Sequence, residues 1–218
     1  MGFVRNTLRA NRCDVIMGVV SADEMVQNTN PYYRSTYVIA HRTEDGARYA
    51  SLDSPAMRTA RIGVISATPP ADLLERHGLL ARVEPYNLVV DTRVEHPGRD
   101  MMEDLGAGRI DVALLWGPIA GYFAARQPVP ITLEPLKSDV PGLRLDFRIS
   151  MGVRSGETDW KHQLNGVIRD LKPQIDRILA DYHVPLLNAR GQLIGATPAP
   201  DHAATRPDPA GSRTGSAQ

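Results

Sequence analysis

The sequence predicts an α/β protein built as two lobes about a hinge. Three observations carry that prediction. Apolar, β-rich runs alternate with helical patterns along the chain, the signature of parallel sheets with covering helices. The segment from about residue 40 to residue 130 forms a complete βαβαβα unit by itself. Two extended stretches, "YYRSTYVIAHR" and "PVPITLEPL", lead into and out of that unit, as two crossings of a hinge would. Lobe one then comprises residues 1–36 and 133–195, and lobe two residues 37–132. The remaining 196–218 is Pro-, Ala- and Gly-rich, too poor in apolar residues to bury a core, and is expected to be disordered.

The elements follow in order. "CDVIMGVV" (residues 13–20) is a continuous apolar run and reads as a buried parallel strand. "STYVIAHR" (35–42) is β-branched and aromatic, a second strand. "TEDGARYASLDSP" is full of turn formers and reads as a loop, and "ARIGVIS" (60–66) is a third strand. Thr68 caps a helix opened by Pro69 and Pro70 and stopped by Gly78. "EPYNLVVDT" (84–92) is a fourth strand, "GRDMMEDLGAG" a short helix, and "RIDVALLW" (109–116) a fifth strand. A helix from Pro118 should bury Ile119, Tyr122 and Phe123 on one face. "LRLDFRISMGV" (143–153) is a further strand. Trp160, Leu164, Val167, Ile168 and Leu171 then follow a period near 3.6. Pro173 opens a last helix carrying Ile175, Ile178, Leu179 and Tyr182.

Composition narrows the function classes. Hydrophobic residues make up 42% of 218 residues, with 25 basic and 25 acidic side chains, so formal net charge is zero. A balanced surface argues against nucleic acid as the main partner, since phosphate binding wants a basic face. No apolar run is long enough for a membrane span. The first residues, "MGFVRNTLRA", lack the apolar core of a secretory signal, which taken alone reads as cytosolic. Cys13 is the only cysteine. It reads either as an inert buried thiol or as half of a disulfide whose partner lies outside this chain.

Catalytic constellations are missing from the sequence. The histidines, at 41, 77, 96, 162, 183 and 202, form no pair at metal-ligand spacing. There is no Cys-x-x-Cys, no Gly-x-Ser-x-Gly elbow, and no Gly-Lys-Ser/Thr ending after "GVISATPPAD". Asp100, Glu103 and Asp104 read as the solvated face of a short helix. No catalytic residue, metal or cofactor is assigned.

The stretch "LLWGPIAGYFAARQ" (114–127) is the most informative. It reads as a strand end, a tight turn and a helix start, and ligands of open α/β sheets bind beyond the carboxyl ends of strands. Trp116, Gly117 and Pro118 put no charge there. Tyr32 and Tyr33 sit beside the hinge, where simple alternation turns only one of them to the cleft. Thr68 is a cap or an anion contact, although two prolines after it remove donors. Arg34, Arg93 and Arg148 read by default as solvated charges, with a cleft position open to Arg148. Tyr32, Tyr33, Thr68, Trp116, Gly117 and Arg148 are the cleft candidates for a ligand or partner.

These residues also carry a resemblance. "GFVRNTL", "RCDVIMGV" and "VQNTNPYYRSTYV", followed by "RIGVISATPPADLLERHGL", "GRIDVALLWGPIAGY" and "FRISMGVRSGE", resemble the MxaJ/XoxJ-type proteins encoded beside methanol dehydrogenases. These quinoprotein-dehydrogenase-associated proteins are a branch of the type II periplasmic binding proteins. The resemblance spans about residues 2–190. It implies a two-lobed Venus-flytrap fold, a periplasmic location, and a signal and a first βαβ portion of lobe one ahead of "GFVRNTL". It also implies that Cys13 is a disulfide half. Amino-acid-binding members of the wider family hold their ligand with an Arg before the first hinge strand and an Asp at the end of a lobe-two strand. Here no Arg stands between Gly18 and Tyr33, and the Asp position falls at or next to Trp116. The expected function is that of a periplasmic accessory protein for a PQQ-dependent methanol or alcohol dehydrogenase, in its maturation or activation. The alternatives are a transporter's solute-binding protein for a small, apolar, non-amino-acid ligand, and a PQQ carrier.

Overall fold

The computed structural model describes residues 2–194, apart from 92 and 139. The expected disordered tail lies outside the described residues. The elements are α1 (Gly2–Asn6), β1 (Ile16–Val20), β2 (Gln27–Asn28), β3 (Tyr33–Arg42), β4 (Ile62–Ile65), α2 (Pro69–Arg76), β5 (Val83–Tyr86) and α3 (Pro97–Gly106). They continue with β6 (Val112–Trp116), α4 (Gly117–Ala124), β7 (Ile131–Pro135), β8 (Asp146–Val153), α5 (Thr158–Asp170), α6 (Lys172–Asp181), β9 (Leu186–Leu187) and β10 (Leu193–Ile194).

One strand organises both lobes. The first half of β3 pairs antiparallel with β8, Tyr33 opposite Ile149 through Thr36 opposite Asp146. Its second half pairs with β6, Tyr37 opposite Trp116 through His41 opposite Val112. On its other side it pairs with β7, Val38 opposite Pro135 through Arg42 opposite Ile131. The strand order is β1-β8-β3-β6-β4-β5, so β1 and β8 lie on the lobe-one side and β6, β4 and β5 on the lobe-two side.

Lobe two has a core on each face of its sheet, because β3 and β6 alternate there. Ile39, Ile62, Val64, Val112 and Leu114 meet Leu73 and Leu74 of α2. Val38, Ala40, Ala113 and Leu115 meet Met101, Met102 and Leu105 of α3 and Ala120 of α4. Arg42 ties the far end. Its guanidinium donates to the Leu105 and Ile110 carbonyls at 3.0 and 3.1 Å. It also faces Asp111, which Arg61 grips with both its backbone N–H and its guanidinium.

The structure departs from several sequence expectations for physical reasons. β1 is antiparallel to β8 and lies at the outer end of the strand order, so it is not a buried parallel strand; Met17 is 58% exposed. β5 stops at Tyr86 because β4 offers only Ile62–Ile65 to pair with. The expected loop after β3 winds into 3-10 turns at Thr43–Tyr49 and Pro55–Arg58, which bury Tyr49 and Met57. α6 buries none of its residues, and Ile178 is exposed.

α4 shows the largest departure. Its fully buried residues are Gly117, Ala120, Gly121 and Ala124; of the expected face Ile119 is exposed, while Tyr122 and Phe123 are half-buried and Phe123 packs against the core. The helix is pressed so close to neighbouring backbone that only small residues fit. A Cβ on Gly117 would lie 2.5 Å from the Thr36 carbonyl oxygen and 2.7 Å from the Pro185 ring. A Cβ on Gly121 would overlap the His183 carbonyl. The Thr36 contact comes from β3, and the Pro185 and His183 contacts come from the segment after α6. There the His183 N–H donates to the Ala180 carbonyl at 2.8 Å and the Val184 N–H to the Leu179 carbonyl at 2.9 Å. Both bonds belong to a helix-ending motif whose left-handed position favours glycine. His183 fills that position, with φ of 53°.

Two outcomes follow from these contacts. His183→Gly removes the cost of a side chain in the left-handed region and should raise stability by about 1 kcal/mol, read from the denaturant midpoint. The Asp111 carboxyl is held below the usual range, chiefly by the Arg61 side-chain hydrogen bonds. Its stabilising effect is therefore present above its unfolded pKa of about 4 and lost as pH falls through the lower folded value. In a series of thermal midpoints against pH, Asp111→Asn should lie below the unaltered protein near neutrality and converge with it in acid.

Candidate functional site

The carboxyl ends of the parallel strands β4 and β6 lie side by side, Val64 opposite Leu114. Trp116 stands at the end of β6 and Thr68 just beyond β4. The Trp116 ring is half-buried in an aromatic cluster. It meets the Tyr37 ring edge-on with centroids 5.4 Å apart and the Phe147 ring at 5.8 Å, while Tyr37 and Phe147 are 6.4 Å apart. Strand geometry causes the cluster. Tyr37 is directly opposite Trp116 in the register, and Phe147 is opposite Ser35, two residues back on the same face of β3. The cluster sits where β3 passes from one lobe's sheet to the other's, with one ring each from β3, β6 and β8. The Arg144 guanidinium lies 5.9 Å over Phe147. Gly117 follows Trp116 directly and lets α4 start against β3.

The structure separates the six candidate residues. Trp116 and Gly117 belong to the junction. Thr68 occupies the N-cap position of α2, but its hydroxyl makes no capping bond; it donates instead to the Ile65 carbonyl at 2.6 Å. The prolines at 69 and 70 have no N–H, and the Ala71 N–H is already taken by the Thr68 carbonyl at 2.8 Å. Tyr32, Tyr33 and Arg148 gather elsewhere, in a pocket of about 460 Å³ lined only by lobe-one residues, including Arg34, Lys172 and Asp176.

Alternation does not govern Tyr32 and Tyr33. β3 begins at Tyr33, so Tyr32 precedes the pleat; both are half-buried, with rings 5.1 Å apart edge to face. The Tyr32 hydroxyl accepts the Gly18 N–H at 3.2 Å. Burial raises the Tyr32 pKa against that bond, and pushes Tyr33 up to about 12 with help from Tyr32. Both phenols are neutral near neutral pH. Arg148 is exposed. Arg34, read from sequence as a solvated charge, is a half-buried fork: it grips Asp146 at 2.8 and 3.0 Å and donates to the Asn188 and Ala189 carbonyls. Arg93 pairs on the surface with Asp91. Asp104, read as part of a solvated face, accepts the Tyr86 hydroxyl and pairs with Arg109. Cys13 is half-buried with a free thiol, and its carbonyl accepts from Arg154.

Sequence reasoning missed two features. Tyr37 and Phe147 complete the aromatic cluster, and their positions two residues apart across the β3–β8 ladder were the available signal. A larger cavity, about 900 Å³, opens at the junction beside Thr36 and Leu145, with Asp53, His77, Lys137 and Arg144 on its walls. Nothing local marks it, because its walls come from segments far apart in the chain. Among the described residues no group of three His, Cys, Asp or Glu side chains is placed to hold a metal ion. No helix of the described residues is long and apolar enough to cross a membrane.

A hinge strand shared by two α/β sheets, with the site at the strand ends between them, is the architecture of a type II periplasmic binding protein. No family model matches the chain. The crystal structure of periplasmic binding protein XoxJ from Methylobacterium extorquens AM1 is 40% identical, with a TM-score of 0.71, over 86% of this chain and 79% of that one. The chain belongs to the XoxJ/MxaJ family of periplasmic binding proteins. The crystal structure of MxaJ from Methlophaga aminisulfidivorans MPT superposes with a TM-score of 0.72 at 24% identity, over 84% of this chain and 80% of that one. Protein MoxJ from Methylorubrum extorquens is 25% identical over 201 residues, 84% of this chain and 66% of the relative. The chain therefore spans just under two thirds of that relative's length.

The Tyr33 environment has a measurable consequence. Its raised pKa means that the stability gained from its burial is present below pH 10.0, the ordinary phenol value, and is lost as pH rises toward about 12. Spectrophotometric titration should resolve a tyrosine ionising near that upper value, and Tyr33→Phe should remove it.

Proposed function

We propose that this chain is a periplasmic accessory protein for a PQQ-dependent alcohol dehydrogenase of the methanol-oxidising kind, and that it acts by binding the enzyme during its maturation or activation. It is not itself a catalyst in this reading. The observation that carries the reading is the apolar floor at the lobe junction. Trp116 stands at the strand end where amino-acid-binding members of the wider family would carry an Asp, and Tyr37 and Phe147 pack against its ring. An amino-acid ligand brought to that floor would lose its hydration without gaining an ion pair. A protein segment with an apolar or aromatic side chain would gain burial there, and Trp is a frequent anchor in such contacts. Membership of the XoxJ/MxaJ family supports the association with methanol oxidation and the periplasm.

In this reading the two lobes divide within β3 between Thr36 and Tyr37. β7 belongs with lobe two, because it pairs with Val38–Arg42 of β3. Binding of the chain to purified dehydrogenase, measured by biolayer interferometry at low and high salt, should be saturable. Trp116→Ala should weaken it about 30-fold, the equivalent of about 2 kcal/mol. Unchanged affinity in that variant would remove Trp116 from the interface. No binding to either the apo or the metal-loaded enzyme would overturn the accessory role and favour a small-solute ligand.

A further inference from the structure

The contact between α4 and the segment after α6 joins the two lobes by packing, beside the hinge strand and in addition to the chain crossings. α4 belongs to lobe two, where Ala120 and Ala124 enter the core. The segment 183–187 belongs to lobe one, where Leu186 pairs with Ser35 at the start of β3. The two meet backbone to backbone. Gly117 lies against the Thr36 carbonyl and the Pro185 ring, and Gly121 lies against the His183 carbonyl. The buried Ser35 hydroxyl donates to the Pro185 carbonyl at 2.6 Å. At the exposed rim of this seam, Tyr122 of α4 stacks on Tyr182 with centroids 5.6 Å apart and planes inclined by 23°. The Arg126 guanidinium sits 3.5 Å over the Tyr122 ring.

A flytrap that closes on a solute must let its lobes rotate about the hinge strands. This seam resists rotation in both directions. Closing the gap further is blocked, because the Gly121 backbone already lies against the His183 carbonyl with no side chain left to deform. Opening it separates a close-packed surface and the Tyr122–Tyr182 stack, and packed interfaces of this kind hold discrete arrangements instead of yielding gradually.

We propose that the α4–His183 seam clasps the lobes at one angle, so that the junction site takes a protruding segment of a folded protein and does not enclose a small solute. Gly117 and Gly121 are then the positions that set which class of ligand the site accepts. The inference rests on the partner reading given above for the choice of ligand, while the clasp itself is tested by geometry alone.

Spin labels at exposed Glu75 in lobe two and Gln163 in lobe one, on the full chain with Cys13→Ser, read the inter-lobe distance by pulsed electron resonance. The expected result is one narrow distance, unchanged by added free amino acids or by the purified dehydrogenase. Gly121→Leu should shift and broaden it. Tyr182→Ala, which removes only the exposed stack, should broaden it even if Gly121→Leu does not fold. Two distances in the unaltered chain, a shift on adding a solute, or a narrow distance retained in Gly121→Leu or Tyr182→Ala would overturn the clasp. Dehydrogenase binding measured on the same samples separates the two readings. A mobile inter-lobe distance with binding retained removes the clasp and leaves the partner. A fixed distance with no binding removes the partner and leaves the clasp.

Discussion

The unbroken hydrogen-bonding of β3 is the constraint on which the rest depends. Its ten residues serve two sheets, and the exchange of partners happens within one step, from Thr36 opposite Asp146 to Tyr37 opposite Trp116. Because the strand keeps its pleat through that step, residues that share a face of β3 in one sheet share it in the other. The same pleat puts Tyr37, Trp116 and Phe147 on a common side and so builds the aromatic floor. It also places Arg34 beside Asp146 and the carbonyls of the chain's last described hairpin. A break in β3 at this point would release the floor, the fork and the seam together.

The architecture was legible in the sequence wherever a rule depends on near neighbours in the chain. Strand runs, proline starts and glycine stops located β3, β4, β6, α2 and α3 to within a few residues. The resemblance carried by "VQNTNPYYRSTYV" and "GRIDVALLWGPIAGY" named the family. What failed was inference about surroundings. Ile119, Tyr122 and Phe123 form a convincing apolar stripe, yet the helix buries its glycines and alanines, because what decides the face is the backbone of residues 183–185 some sixty positions later. Alternation misplaced Tyr32 because the pleat starts one residue after it. Arg34 looked solvated because Asp146 and Asn188 are remote in sequence.

The site was legible in part for the same reason. Trp116 and Gly117 could be chosen from the strand-turn-helix pattern alone. Tyr32, Tyr33 and Arg148 share a pocket, but it lies within lobe one and away from the residues with which they were grouped. The Thr68 hydroxyl turns back to its own strand, because two prolines lack an N–H and the Thr68 carbonyl already holds that of Ala71. Side-chain identity nominated the candidates; the three-dimensional register decided which of them meet.

The fork made by Arg34 also bears on the order in which the molecule forms. Lobe two, as divided above, is a continuous stretch of chain whose cores take, as buried members, only Leu136 and Leu145 from beyond β7, so it can collapse before β9 is made. Lobe one joins strands drawn from both ends of the chain. Its hinge edge is complete only when β9 reaches Ser35 and the Asn188 and Ala189 carbonyls reach Arg34. Until then the start of β3 carries an open edge and an arginine with half its acceptors missing. A nascent chain that has reached β8 but not β9 would present that open edge. Any factor that shields exposed strand edges would have its window of action there, between the folding of the first lobe and the arrival of the last twenty or so residues of the second.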